Sequence, residues 1–229
     1  MKQFLLAIGF GLVCMNVSAQ QVLASAHQSF WLWGNFNAQH QLRHAKTLYI
    51  LQGEITRKGI TPQGLGILPK NNIAQIWLVY RVKDLHWSAN TLPAILKRLQ
   101  QWQNAGHSVL GLQIDYDSPT ADLANYADFL TQLRQQLPRR YQLSITGLMD
   151  WTNIQDQSTL AQLRKSIGFI AIQTYRGRST INNVDLYLKK IARLKLPYKI
   201  GLVEHGDWHA PDFLNKDPYF QGYVIFILK

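Results

Sequence analysis

Gly111-Leu112-Gln113-Ile114-Asp115-Tyr116-Asp117 closes an apolar run that begins at Val109, and Ser118-Pro119 stops it. The side chains alternate in the manner of a strand. Leu110, Leu112 and Ile114 share one face, and Gln113, Asp115 and Asp117 share the other. A polar face on an otherwise buried strand is costly unless it lines a site or is internally paired. Two carboxylates two residues apart at a strand's end form a candidate acid/base or electrostatic pair. The plainer alternative is that Asp115 pairs locally and Asp117 is an exposed turn residue.

Seven further strand-like runs surround this one: Ser29–Gly34, Thr47–Gly53, Ala74–Arg81, Gln142–Leu148, Phe169–Thr174, Lys199–Val203 and Gly222–Leu228. From the third strand to the seventh, stretches of helical periodicity intervene over Leu92–Asn104, Leu123–Leu137, Leu160–Ile167 and Val184–Leu194. Strands alternating with helices imply a parallel sheet. Eight of them predict an α/β protein, a compact (β/α)8 barrel of TIM type without a closing helix after the last strand. A doubly wound open sheet is the alternative. The first two crossovers are irregular, since Asn37–Lys46 holds at most a short helix and Ile55–Asn72 is rich in Gly and Pro.

The first nineteen residues read as a secretory signal. Lys2 is the charged start, Phe4 to Met15 the apolar core, and Val17-Ser18-Ala19 a small-residue cleavage site. A mature chain beginning at Gln20 and forming one barrel domain is expected, in the periplasm or outside the cell. The apolar core is too short to span a bilayer, and no later run is long enough, so no integral membrane segment is expected after cleavage. The one cysteine, Cys14, lies in this leader, preceded by Val13 where a lipoprotein would carry a small residue. The mature chain thus has neither disulfides nor thiolate chemistry. Lys and Arg number 24 against 13 Asp and Glu, a net charge of +11. Many of the cations (Arg134, Arg139, Arg140, Lys189, Lys190, Arg193, Lys195) fall on predicted helices or their ends, where they solubilise. They are not interleaved with aromatics as on a nucleic-acid platform, and no nucleic-acid partner is expected.

In a barrel the functional groups sit at the C-terminal strand ends. Those ends read Trp31-Leu32-Trp33-Gly34-Asn35, Gln52 with Glu54, Tyr80-Arg81, Gln113 with Asp115 and Asp117, Met149-Asp150-Trp151, Gln173 with Tyr175 and Arg176, and Glu204-His205-Gly206-Asp207-Trp208. So many polar and aromatic groups at one rim point to a site. Its composition suits carbohydrate. Carboxylates act on glycosidic bonds, Trp and Tyr offer flat apolar faces with a polar handle, and Gln, Asn and Arg bond hydroxyls. Trp77 and Trp102 read as packing residues. His205 and His209 bracket Asp207, but Gly206 and Pro211 mark a loop, and no metal site is expected. No phosphate loop, dinucleotide fingerprint or nucleophile elbow is present, so no cofactor is expected.

Two resemblances follow from these residues. Phe30-Trp31-Leu32-Trp33-Gly34, Leu112 to Asp117, Leu143-Ser144-Ile145-Thr146 with Asp150-Trp151, Ile172 to Gly177 and Lys199 to Gly206 resemble a family of exported bacterial proteins known only as a domain of unknown function, along nearly the whole mature chain. That likeness implies no activity. More distantly, Gln113-Ile114-Asp115-Tyr116-Asp117 resembles the last five positions of the Asp-x-x-Asp-x-Asp-x-Glu signature of chitinase-like family 18 glycoside hydrolases. Gln173-Thr174-Tyr175 resembles that family's Met-x-Tyr. The likeness implies Asp117 as the acid, Asp115 as the orienting carboxylate and Tyr175 as a substrate-positioning group. Asp117 stands where the family has Glu, and Gln113 where it has Asp.

Three readings result. The first is a glycoside hydrolase in which Asp117 is the acid and Asp115 stabilises charge, with Glu204 on strand seven as a variant second carboxylate. Gln113, Tyr175, Gln173, Asp150, Trp151, Trp33, Trp208 and Arg176 would bind the substrate. The second is a catalytically silent glycan-binding barrel of the cell envelope. The third is a structural barrel whose rim groups satisfy one another.

Overall fold

The computed structural model describes residues 20–34, 43–68, 74–149, 151, 154 and 156–228. The leader, Asn35 and Asp150 lie outside these residues. Eight strands form one sheet, here β1 (Ser29–Leu32), β2 (Thr47–Thr56), β3 (Gln75–Val82), β4 (Ser108–Asp115), β5 (Gln142–Gly147), β6 (Phe169–Gln173), β7 (Tyr198–Val203) and β8 (Phe220–Phe226). Each is parallel to its neighbours. β1 pairs with β2 on one side and with β8 on the other, through Phe30↔Ile225 and Trp31↔Phe226. The sheet therefore closes, and the open-sheet alternative is excluded.

Four helices are described: α1 (Thr91–Asn104), α2 (Leu123–Gln136), α3 (Gln157–Ser166) and α4 (Val184–Arg193). Their apolar stripes cover the outer faces of the strands. Ile95, Leu99 and Trp102 on α1 and Leu123, Tyr126, Ala127, Leu130 and Leu133 on α2 are all buried. α3 begins where the Asp156 carboxylate accepts the backbone N–H groups of Ser158 and Thr159. Gln52, at the register shift within β2, is a clasp for α1. Its carbonyl oxygen accepts from Arg98 Nε at 2.7 Å and Trp102 Nε1 at 3.0 Å.

Beside the end of β7 the outer face is covered by the chain's first described residues. Val22 donates its N–H to Gly206 O and accepts from His205 N, and Gln20–Gln21 pairs antiparallel with Asp207–Trp208. Val22 and Ala24 are buried against the strands. β2 runs three residues beyond its expected end, then turns back antiparallel over Gly59–Pro62. The Gly- and Pro-rich stretch thus begins as a hairpin. β8 starts two residues earlier than the apolar run suggests.

The interior is a packed core. Trp31, Tyr49, Trp77, Val79, Phe169, Ala171 and Val224 fill it. Tyr49 and Trp77 stack at 6.0 Å, and Phe169 stands edge-on to Trp77 at 5.2 Å. Room for Trp31 exists because Gly201 lacks a side chain. A Cβ there would fall 2.6 Å from the indole.

The deciding stretch departs from simple alternation at one point. Ile76 of β3 pairs with Val109, yet Trp77 pairs with Gly111, so β4 carries an extra residue. Leu110 consequently packs on the interior cluster, while Leu112 and Ile114 face the helices. Gly111 lies so close to β5 that a Cβ would sit 2.0 Å from Gln142 O.

Candidate active site

The alternation beyond the bulge turns Gln113 and Asp115 inward. The two residues have separate tasks. Gln113 is fully buried. Its Oε1 accepts from Trp31 Nε1 at 2.7 Å, and its Nε2 donates to Ser144 Oγ at 3.3 Å. The amide is thus consumed inside the barrel, and the expected substrate-binding role for Gln113 is corrected to that of a bracket beneath the mouth.

Asp115 is one level higher. Its Oδ1 accepts from Thr146 Oγ1 at 2.8 Å, and its Oδ2 from Arg81 Nε at 3.2 Å. The Arg81 side chain keeps 39% of its surface exposed, against 6% for Asp115. Burial pushes the Asp115 carboxyl above the usual carboxylate range. The Thr146 hydroxyl and the Arg81 guanidinium pull it back, and the charge of Asp117 adds to the push.

Parallel register explains how Arg81 reaches Asp115. Glu54, Arg81 and Asp115 are neighbours across the ends of β2, β3 and β4, carrying alternating charge. Glu54 also has Lys83 Nζ at 4.0 Å. The Arg81 guanidinium lies 4.4 Å from the centre of the Trp33 ring, a cation–π contact that holds this indole at the rim. Phe226, at the end of β8, meets Trp33 edge-on at 5.2 Å. The other face of the mouth comes from β6, where Phe169 and Ala171 face the interior and alternation gives Gln173 and Tyr175 the same side. Tyr175 stacks on Phe226 at 6.4 Å. Burial first, then the charge of Asp115, raises the affinity of its phenol for its proton. Trp33, Arg81, Asp115, Gln173, Tyr175 and Phe226 therefore gather at one end of the barrel.

Asp117 stands beyond the strand at the same end and is exposed.

Other expected residues lie elsewhere. Trp151 is fully buried, donates to Ser118 O at 2.9 Å and meets Tyr126 edge-on. It packs the region behind β4 and leaves no face for a sugar. Trp208 is 8% exposed and stands edge-on to Tyr223 where the strand at Gln20–Gln21 crosses the barrel wall. It anchors that segment and does not line the mouth. Arg176 is exposed and follows Tyr175 in a short hairpin, so alternation turns it away. Glu204 follows the end of β7 and is buried, with its backbone N–H donating to Phe226 O at 3.0 Å. Its Oε1 is 4.0 Å from His205 Nε2.

Arg81, Thr146 and Phe226 belong to the site although the sequence reading gave none of them a role there; Arg81 stood among the strand ends. For Arg81 the signal was present, because opposite charges end two adjacent strands. Thr146 was visible as the inward position of the Leu143-Ser144-Ile145-Thr146 alternation.

The fold has known counterparts. The Bacillus cereus spore cortex-lytic enzyme SleL superposes with a TM-score of 0.54 at 15% identity, over 76% of this chain and 50% of that one. The chain thus spans about half the length of that enzyme. Concanavalin B superposes with a TM-score of 0.54 at 11% identity, over 89% of this chain and 94% of its own. At such identities the likeness is one of fold. No curated protein matches the chain in sequence. Residues 72–175, which contain β3 to β6 and with them Arg81, Asp115, Thr146 and Tyr175, match the model of the family described as a domain of unknown function, DUF3142.

Proposed function

We propose that this protein is an exported barrel that acts on a glycan at the C-terminal mouth, with Asp117 as proton donor and Asp115 as its buried partner. The observation that carries the reading is the convergence of Trp33, Arg81, Asp115 and Tyr175 on one inward-facing rim, on a fold that a spore cortex-lytic enzyme also has. The Trp33 and Tyr175 rings offer apolar faces to a sugar ring. Asp117 is open to a glycosidic oxygen. A sugar laid over the mouth brings its glycosidic oxygen to this carboxyl, the placement that proton transfer to a leaving oxygen requires. Arg81 and Thr146 hold Asp115 in place while a positive charge develops on the sugar.

One observation favours a second reading, that of a silent glycan-binding barrel. The Asp115 carboxylate is already engaged by Arg81 and Thr146. Hydrolysis of a panel of envelope glycans separates the two. In the enzyme, Asp117→Asn lowers turnover by about 10² to 10⁴-fold while binding survives. In the silent barrel the wild type hydrolyses nothing, and Trp33→Ala weakens glycan binding. Turnover unchanged in Asp117→Asn would exclude the mechanism. Absence of both binding and turnover across the panel would exclude both readings.

A further inference from the structure

The cations that the sequence scatters over four helices converge in the fold. Helices of this barrel run antiparallel to its strands, so their C-terminal ends and the turns that follow come to the N-terminal rim, opposite the mouth. Arg139 and Arg140 stand in the turn before β5, Lys165 in the last turn of α3 before β6, and Arg193 and Lys195 around the end of α4 before β7. All five are exposed, as is Lys46 at the start of β2. β5, β6 and β7 are adjacent in the sheet, which makes the first five one continuous arc. Acidic groups are more numerous at the other end, where Glu54 lies near the end of β2 and Asp84, Asp117, Asp156, Asp185 and Asp207 follow strands or begin helices, beside the cations Arg57, Lys58, Lys83 and Arg178. Asp217, beside the N-terminal rim, accepts the Tyr198 hydroxyl at 2.8 Å.

Helix dipoles favour cations in a last turn, which accounts for Lys165 and Arg193. They do not account for Arg139 and Arg140, which lie past the last residue of α2, Gln136. Nor do they account for Lys195. It takes φ +53, a left-handed conformation behind the helix that suits Gly or Asn.

The turns that lead into β5, β6 and β7 are short, which leaves the arc low and broad. Among the described residues the large exposed apolar side chains are Leu23, Ile67 and Leu186, none of them in the arc. The cleft on this rim that His27, His44 and Tyr223 line lies beside the starts of β1 and β8, away from the cationic arc before β5 to β7. We infer that the N-terminal rim docks electrostatically onto an anionic phospholipid surface, which points the candidate sugar-binding mouth away from the bilayer. Attraction of this kind depends on several cations acting together within a Debye length of the surface, and salt removes it.

The test is co-sedimentation of the protein with phosphatidylcholine vesicles carrying about 30% phosphatidylglycerol, at about 50 mM and about 500 mM salt. One variant combines Arg139→Gln, Arg140→Gln, Arg193→Gln and Lys195→Gln. A control of equal net charge combines Arg57→Gln, Lys58→Gln, Lys83→Gln and Arg178→Gln, all exposed at the mouth end. Circular dichroism establishes that both variants are folded. The wild type and the control should bind at low salt and release at high salt, and the rim variant should bind at least about tenfold more weakly. Equal loss in both variants, or no binding by the wild type, would overturn the inference. So would binding to a soluble anionic polysaccharide at lower concentration than to the vesicles.

Discussion

Asp115 concentrates the chemistry of this chain, and its titration can be measured. Burial raises its proton affinity, so in the pH range just above the ordinary value of 3.8 the folded state holds a proton there that the unfolded chain has released. The contribution of Asp115 to stability is therefore whole below that value and is lost as the pH rises through the raised one. Asp115→Asn removes the titration and keeps the shape. The melting temperature of the variant relative to the wild type should be higher near pH 7 than near pH 3.5. A relative melting temperature that falls with pH would show that the Arg81 and Thr146 contacts outweigh burial. The inward direction of Asp115 was legible in the sequence, because strand alternation is a local rule. The division of labour between Asp115 and Asp117 was not. It depends on which carboxyl the Arg81 side chain and β5 enclose, and that is set by register across strands. Trp151 and Trp208 pack elsewhere for a related reason. A strand-end position brings a residue to the right rim but does not say which side of the wall it takes.

At the level of elements, all eight strands and four helices were readable from apolar periodicity, with shifts of a few residues at most. The missed features are places where periodicity breaks. The extra residue of β4 turns Leu110 inward, and it is accommodated where Gly111 approaches β5. Gly111→Ala would place a Cβ 2.0 Å from Gln142 O, a backbone atom that cannot swing aside. The strands would have to separate, at a cost of about 1–3 kcal/mol. Thermal unfolding should show a fall of roughly 2–4 °C per kcal/mol for a chain of this size. A melting temperature unchanged within a degree would mean that β4 and β5 are less tightly registered than described. The β2 hairpin was hidden for another reason. Gly and Pro mark a turn, and they do not show that the chain returns along the strand it has just left.

For the whole molecule, closure of the sheet is what gives the residues their meaning. β8 beside β1 places Phe226 against Trp33, and β3 beside β4 places Arg81 on Asp115. The same closure sorts charge, with acidic groups around the mouth and a cationic arc at the opposite rim. The net charge of +11 was plain from composition. Its polarity was not, because Arg139, Lys165 and Arg193 are far apart along the chain and meet only through the winding of helix after strand. The central claim is that the mouth framed by Trp33, Arg81, Asp115 and Tyr175 receives a glycan. The most direct measurement is a structure of the complex with the tightest-binding oligosaccharide from the hydrolysis panel, using Asp117→Asn to preserve the ligand. The account predicts a sugar ring against Trp33 or Tyr175 with a glycosidic oxygen within hydrogen-bond reach of position 117. A sugar bound on the outer wall, or a mouth still filled by its own side chains in the presence of bound glycan, would contradict it.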